Sequence, residues 1–185
     1  MSLKHAILGF LNYQPFSGYD LKKMFDISVR HFWPAAQSQI YRALGQMNDK
    51  GWVEQEIVEQ QDHPDRKVYH ITDSGRQELA HWLSTPLPAQ KTRHASLIQV
   101  FFAGQLDDEA IIAMLEREAD HMRSLLQNYA QVPAQCLPYE EMVNSPREAF
   151  FWKLTLEMGN RMAQAQLAWL EDVIQRLQNG EHPAT

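Results

Sequence analysis

Residues 36–51 decide the fold, and they read AQSQIYRALGQMNDKG. Within them Ile40, Leu44 and Met47 recur at helical spacing, which predicts the buried side of a helix. Because successive residues are about 100° apart around a helix, the opposite side can be read from the same stretch. It carries Ser38, Arg42, Gly45 and Asp49, flanked by Gln39 and Gln46. Gly51 is a natural end for this helix, since glycine readily adopts the left-handed conformation that follows a helix C-terminus.

The residues before this helix predict two shorter helices. Residues 3–13 place apolar side chains along one helical stripe, and Pro15 follows them. Ser17 and Asp20 have the spacing of a capping box, in which the serine hydroxyl accepts a backbone N–H and the aspartate reaches back to the serine N–H. A second helix is therefore expected to begin at this point.

The residues after the third helix change from helical to alternating periodicity. Residues 52–60 and 67–71 predict two strands, and the turn-forming residues 62–65 lie between them. Thr72 is then placed to cap a fourth helix. Three helices, a hairpin and a helix within residues 1–86 are typical of a winged helix-turn-helix domain, in which the hairpin is the wing.

The remainder of the chain, residues 87–185, is predicted to form a second, all-helical domain. One helix is expected over about residues 93–102, and another over about residues 107–131 with an aspartate as its N-cap. Pro133 and Pro138 are expected to bound an irregular piece, because proline interrupts a helix. The predicted fold class is therefore mainly α with a small β-hairpin.

The last predicted helix is unusually long. Ser145 and Glu148 form a capping box with Pro146 at the first helical position, and the helical pattern continues to Gln178. A helix of that length is roughly 50 Å long, and its apolar residues cover most of its circumference. Such a helix must be buried on most sides. The sequence therefore predicts a homodimer formed through the C-terminal helices.

Charge is unevenly divided along the chain. The net charge is −6, which taken alone opposes nucleic-acid binding. Residues 1–85 hold 9 basic and 10 acidic residues, whereas residues 86–185 hold 8 basic and 13 acidic. DNA responds to the local field at the contact surface, so the nearly neutral first half does not exclude DNA binding.

Other features of the sequence narrow the class of protein. Cys136 is the one cysteine, and a reducing compartment suits a chain without an internal disulfide. We find neither a signal peptide nor an apolar run of the ~20 residues that cross a bilayer, so a cytoplasmic protein without membrane contact is expected. Glu118-x-x-His121 occurs once, whereas a di-iron site needs that motif twice. No enzyme activity, metal or cofactor is predicted.

Several segments of the first half resemble the PadR family of bacterial transcriptional regulators in both order and spacing. The segments are residues 3–11, 17–21, 32–34, 38–44, 51–53 and 67–76. The second half is similar to the longer-tailed members that resemble phenolic-acid-responsive repressors. The resemblance implies a homodimer, a palindromic operator in double-stranded DNA, repression, and in many members release by a small aromatic ligand.

The polar side of the third helix is the candidate DNA-reading surface. Arg42 suits guanine, Gln39 and Gln46 suit adenine, and Ser38 suits a base or a phosphate. Tyr41 suits packing against the sugar-phosphate backbone. Phosphate contacts position a protein on DNA without reading the sequence. The candidates for those contacts are Lys22, Lys23, Arg66 and Lys67.

An aromatic slot between the two halves is the candidate ligand site. The first half would contribute Tyr13, Phe16, Tyr19 and Trp33. The second half would contribute Arg93, His94 and Trp152. Aromatic walls with a cationic or imidazole group suit a small aromatic acid. Trp152 stands where phenolic-acid repressors carry histidine, and this departure removes a polar contact.

A protein of another class would share this fold. A winged-helix module that binds proteins and has lost DNA binding would also explain the predicted elements, and the acidic balance favours it. The two hypotheses differ in whether the protein binds DNA with an affinity that falls steeply with salt.

Overall fold

The computed structural model describes residues 2–59, 65–89, 93–143 and 145–181. The chain divides into two units, Met1–Pro88 and Ala89–Thr185. Residues 62–64 of the predicted turn lie outside the described part. No helix in the described ranges is long and apolar enough to cross a membrane.

The first unit follows the order predicted for a winged helix-turn-helix, with one addition. Its elements are α1 (Ser2–Tyr13), β1 (Phe16–Ser17), α2 (Gly18–Ile27), α3 (Gln37–Asp49), β2 (Val53–Val58), β3 (Arg66–Ile71) and α4 (Asp73–Ser84). The strands form an antiparallel sheet in the order β1-β3-β2. The strand β1 was not predicted, because two residues are too few to show a periodicity.

The core of the first unit lies where the three-helix cluster meets the sheet. The most deeply buried side chains come from α1, α2, α3 and β2. They are Ile7, Leu8, Leu21, Phe25, Ile40, Leu44, Met47 and Val53. His5 in α1 is also buried, and it joins α4 by stacking on Trp82, with ring centroids 4.5 Å apart, and through a 3.0 Å contact to Glu78.

The helix α3 ends just before Gly51, as the sequence predicts. Gly51 has φ = +69°, and the N–H of Trp52 donates to the Met47 carbonyl at 2.9 Å. This pattern is a Schellman motif, which requires the left-handed conformation at the glycine. The Trp52 carbonyl in turn accepts the Thr72 N–H at 3.1 Å, so the helix end is joined directly to the start of α4.

The second unit is wholly helical in its described part. Its elements are α5 (Ala95–Phe102), a short 3-10 helix (Ala103–Gln105), α6 (Asp108–Val143) and α7 (Pro146–Gln178). The two long helices pack antiparallel around a core that includes Leu115, Ala119, Met122 and Leu170. Their bounds agree with two predicted caps: Asp107 accepts the Ala110 N–H at 2.8 Å, and Ser145 accepts the Glu148 N–H at 3.4 Å.

One prediction for the second unit is wrong. The sequence predicted a helix end near Gln131 and an irregular piece between Pro133 and Pro138, whereas α6 continues through both prolines to Val143. A proline inside a helix removes one backbone hydrogen bond. Packing against α7 is described as far as Tyr129, whose ring lies against Gly159 one turn before Pro133.

Candidate nucleic-acid interface

The two sides of α3 differ as predicted. Ile40, Leu44 and Met47 have 0% exposure, so the back of the helix is fully buried in the core of the first unit. Arg42 and Gln46 are exposed on the other side, together with Ser38 and Gln39. The helix therefore presents guanidinium, amide and hydroxyl groups on a surface that is anchored from behind.

Gln39 makes a structural contact that was not predicted from the sequence. Its Oε1 atom accepts the backbone N–H of Ala36 at 2.9 Å, which caps the first turn of α3. Bidentate pairing with adenine uses the same oxygen. An amide oxygen can accept two hydrogen bonds, so the cap occupies one of the two acceptor positions of Gln39 Oε1.

Tyr41 connects α3 to the start of α2. Its side chain is 42% exposed, and its ring packs against the backbone of Gly18, where a Cβ atom would be 2.4 Å from Tyr41 Cε1. Burial and, to a smaller extent, the neighbouring Tyr41 raise the pKa of Tyr69 in β3. Tyr41 therefore packs against the start of α2, in addition to any contact with DNA.

Arg66 and Asp20 form an ion pair across the first unit. Arg66 Nη2 donates to Asp20 Oδ2, which also accepts the Ser17 hydroxyl proton. The Ser17 hydroxyl oxygen accepts the Asp20 N–H at 3.2 Å, as the capping box predicts. The backbone N–H of Ser17 also interacts with the Asp20 carboxylate and helps to lower its pKa, in agreement with the reach-back contact that the capping box predicts.

The charge state of Asp20 follows from these contacts. Burial acts to raise the pKa of this carboxyl, but hydrogen bonds from Ser17 and Arg66 and the positive charge of Arg66 outweigh it. The net effect lowers the pKa of Asp20 below its ordinary value of 3.8. Asp20 is therefore an anion near neutral pH, and Arg66 is positioned by a full negative charge.

The other predicted phosphate contacts differ in their surroundings. Lys22 pairs with Asp26 one turn further along α2. The ammonium of Lys23 lies 4.5 Å from the ring centroid of Tyr19. Lys67 is exposed on β3. These cations lie on α2 and on the wing, the two elements that are joined to each other by the pair of Asp20 and Arg66.

The residues predicted to bind a ligand are distributed over both units, and each set is described within its own unit. In the first unit Phe16 is buried in β1, Tyr13 is half-buried, and Tyr19 and Trp33 are exposed by 56% and 36%. In the second unit Arg93 and His94 are exposed, and Trp152 is half-buried in α7. Their role in ligand binding stays a prediction.

The second unit also contains a cleft of about 200 Å³ between α5, α6 and α7. His94 lines it, with Met114, Glu118 and Trp169. Glu118 Oε1 accepts a hydrogen bond from Gln166 Nε2 at 3.1 Å at this place. Sequence reasoning did not identify the cleft, because its walls come from three helices that are far apart along the chain.

The fold and the exposed side of α3 define the class of winged helix-turn-helix proteins. Comparison with known families finds a match for each of the two units. Residues 7–81 match the transcriptional regulator PadR-like family. Residues 92–178 match the C-terminal region of a virulence activator family. The protein belongs to the PadR-like family of transcriptional regulators, as the resemblance predicted.

Two relatives extend along almost the whole chain. A probable transcriptional regulator of Mycobacterium tuberculosis, Rv1176c, is 34% identical over 96% of this chain and 98% of its own length. The negative transcriptional regulator PadR of Bacillus subtilis is 27% identical over 93% of this chain and 95% of its own length.

The B. subtilis protein has been solved with two kinds of ligand. Its complex with operator DNA has a TM-score of 0.81 to this chain and 27% identity, and covers 96% of this chain and 99% of that one. Its complex with p-coumaric acid has a TM-score of 0.76 and 26% identity, with the same coverage of 96% and 99%.

Proposed function

We propose that the protein is a homodimeric transcriptional repressor that binds a palindromic operator through α3 and is released by a small aromatic ligand. In this proposal DNA binding belongs to residues 1–86, and dimerisation and ligand sensing belong to residues 87–185. The protein acts in the cytoplasm and uses no metal, cofactor or catalytic group. The B. subtilis relative supports the proposal, since it is named a negative regulator and binds operator DNA.

The division of α3 into a buried and an exposed side carries the proposal. Because Ile40, Leu44 and Met47 fix the back of the helix completely, its front can enter the major groove without losing any contact with the core. Arg42 projects from the middle of that front, where a guanidinium can donate to both acceptors of guanine. Two copies of α3 in a dimer would reach half-sites about one helical turn apart.

The test is a fluorescence-anisotropy titration of the full-length protein with the DNA upstream of its own gene, at two salt concentrations. We expect specific binding that weakens steeply with salt. Arg42→Ala should weaken it by about 1–3 kcal/mol and relax the preference at one base position. Arg117→Ala in α6 removes the same charge from the other unit, and it should bind as the wild type does. Equal binding by both variants would reject the assignment of Arg42.

The exposed apolar residues of the second unit support dimerisation. Leu97, Ile98, Phe101 and Phe102 of α5 are each more than half exposed, and Met158 and Met162 of α7 are both 59% exposed. Patches of this kind mark interaction sites. Leu97→Glu should give a monomer in light scattering, whereas Leu83→Glu, at a leucine of the first unit that is also more than half exposed, should leave a dimer. A Leu97→Glu dimer would reject this surface as the interface.

The ligand proposal rests on the aromatic side chains of the predicted slot and on the p-coumaric acid complex of the relative. A ligand releases the operator only if it binds one dimer geometry more tightly than the other. The same titration with saturating p-coumaric acid should show weaker operator binding. Equal affinity with and without it would reject that compound as the effector.

The acidic composition favours a second candidate, a winged-helix module that binds proteins without binding DNA. For such a module the titration would show no operator binding at either salt concentration. The same experiment therefore decides between the two functions.

A further inference from the structure

The start of α2 and the outer end of the wing meet at one ion pair. Ser17 pairs with Val68 in the sheet, which brings the first turn of α2 alongside β3. Asp20 lies in that turn with 28% of its side chain exposed, and Arg66 begins β3 with 48% exposed. The contact joins residues 46 positions apart in the sequence.

The arginine keeps hydrogen-bond donors that the ion pair does not use. A guanidinium has five N–H donors in a fixed planar arrangement, and the ion pair uses one of its nitrogens, Nη2. The planar group cannot rotate freely while Asp20 holds that nitrogen. Its remaining donors are therefore restricted to fewer orientations at the edge of the wing.

The position of Asp20 is unfavourable for DNA binding on charge alone. A carboxylate beside a phosphate-binding surface repels phosphate, and one that neutralises an arginine removes part of its attraction. Removal of Asp20 should then strengthen DNA binding, unless the carboxylate makes another contribution. Orienting the arginine donors before binding is such a contribution, because the side chain then loses less conformational entropy when it binds DNA.

We propose that Asp20 is a positioning residue for DNA binding: it orients Arg66 so that the other guanidinium donors contact a phosphate of the operator. The inference rests on the proposed function, and it identifies the duplex backbone next to the wing as the partner of Arg66. Asp20 itself does not touch the DNA.

The experiment is a double-mutant cycle in the full-length protein, read by anisotropy with operator DNA at several salt concentrations. Asp20→Ala should weaken binding about tenfold, the factor that one charge-assisted hydrogen bond represents. Arg66→Ala should weaken it at least as much, and it should reduce the slope of log K against log salt by about one. The double variant should bind like Arg66→Ala, and the slope for Asp20→Ala should be reduced as well.

Asp26 offers a matched control on the same helix. It pairs with Lys22, but the three donors of an ammonium rotate about one axis, so this pair does not orient them as an ion pair orients a planar guanidinium. Asp26→Ala therefore removes one negative charge from α2 without reaching the wing. We expect it to bind as tightly as the wild type or more tightly. The inference would be overturned if Asp20→Ala also bound DNA as tightly as the wild type or more tightly. It would also be overturned if the loss of affinity in the double variant equalled the sum of the losses in the two single variants.

A second variant and the salt dependence distinguish a failure of this inference from a failure of the proposed function. Asp20→Asn keeps an acceptor for the helix N-terminus, so it decides the question if Asp20→Ala does not fold: weaker binding supports the inference and unchanged binding overturns it. A loss of affinity without any change in the salt slope would indicate a structural role and would also overturn it. Absence of operator binding by the wild type would instead contradict the proposed function.

Discussion

The ring of Tyr41 is in direct contact with the backbone of Gly18, where a Cβ atom would stand 2.4 Å from Cε1 and 2.7 Å from Cζ. Gly18 is the first residue of α2, and Tyr41 lies in α3. The absence of a side chain at residue 18 therefore sets how closely the two helices of the helix-turn-helix approach each other.

Gly18→Ala should force Tyr41 out of this contact. We expect a loss of roughly 1–3 kcal/mol in the free energy of unfolding, as for other overpacked sites. In the Tyr41→Ala background the same change should cost much less, because the obstructing ring is gone. Urea denaturation of the two single variants and the double variant measures the coupling. Strictly additive losses would show that the ring and the glycine do not constrain each other.

A Cβ atom at Gly75 would lie even closer to a neighbouring atom than one at Gly18, so Gly75 should tolerate a side chain less well than Gly18. A Cβ atom there would be 2.1 Å from the carbonyl oxygen of Trp52, and backbone cannot move aside as a side chain can. Gly75→Ala should lower the free energy of unfolding by about 2 kcal/mol or more. Gly9 of α1 has nothing within 4 Å of such a Cβ, so Gly9→Ala should stabilise the protein by roughly 0.5–1 kcal/mol. Equal effects at both positions would contradict this account.

Features encoded by neighbouring residues could be predicted from the sequence. Ser145 and Pro146 placed the start of α7 correctly, and Gly51 placed the end of α3. The buried side of α3 followed from its periodicity alone. In each case the signal lies within one or two helical turns of the feature that it determines.

Features that depend on distant residues could not be predicted. The strand β1 exists because Phe16 and Ser17 pair with residues of β3. The helix α6 packs on α7 up to Tyr129 and continues through Pro133 to Val143, which the local effect of a proline does not predict. The pairing of Arg66 with Asp20 has the same origin, since the sequence shows two charges but not their distance. The helix-capping role of Gln39 is local, since the cap joins it to Ala36 three residues earlier, but its place beside Arg42 on the polar side of α3 indicated base reading instead.

The lowered pKa of Asp20 predicts a specific loss of stability in acid. A carboxyl whose pKa is lower in the folded state than in the unfolded state contributes stability above the unfolded value, and the contribution disappears as the pH falls through the folded one. The stability gained from Asp20 should thus be complete above about pH 5, and should decline from the ordinary pKa of 3.8 downward.

Urea denaturation from pH 7 to pH 3 would measure this contribution. The difference in unfolding free energy between wild type and Asp20→Asn should shrink as the pH falls below 4. Arg66→Gln should make the same difference smaller at neutral pH, because it removes one of the two groups that lower the pKa. A difference that stays constant with pH would show that the charge of Asp20 does not stabilise the fold.

Gln39 and Gln46 should respond differently to mutation, although both lie on the exposed side of α3. Gln39→Ala removes the acceptor for the Ala36 N–H, and it should lower the free energy of unfolding by roughly 0.5–1.5 kcal/mol. Gln39→Glu keeps that acceptor and suits the positive end of the helix dipole, so it should be as stable as the wild type. Its added negative charge should nevertheless weaken operator binding.

Gln46→Ala is the matched control, because Gln46 lies in the interior of the helix, where alanine is the better helix former. We expect unchanged or slightly higher stability together with weaker operator binding. Urea denaturation and anisotropy on the same preparations separate the two effects. If Gln39→Ala lost affinity at full stability, Gln39 would act as a base-reading residue, and its contact with Ala36 would be dispensable for the start of α3.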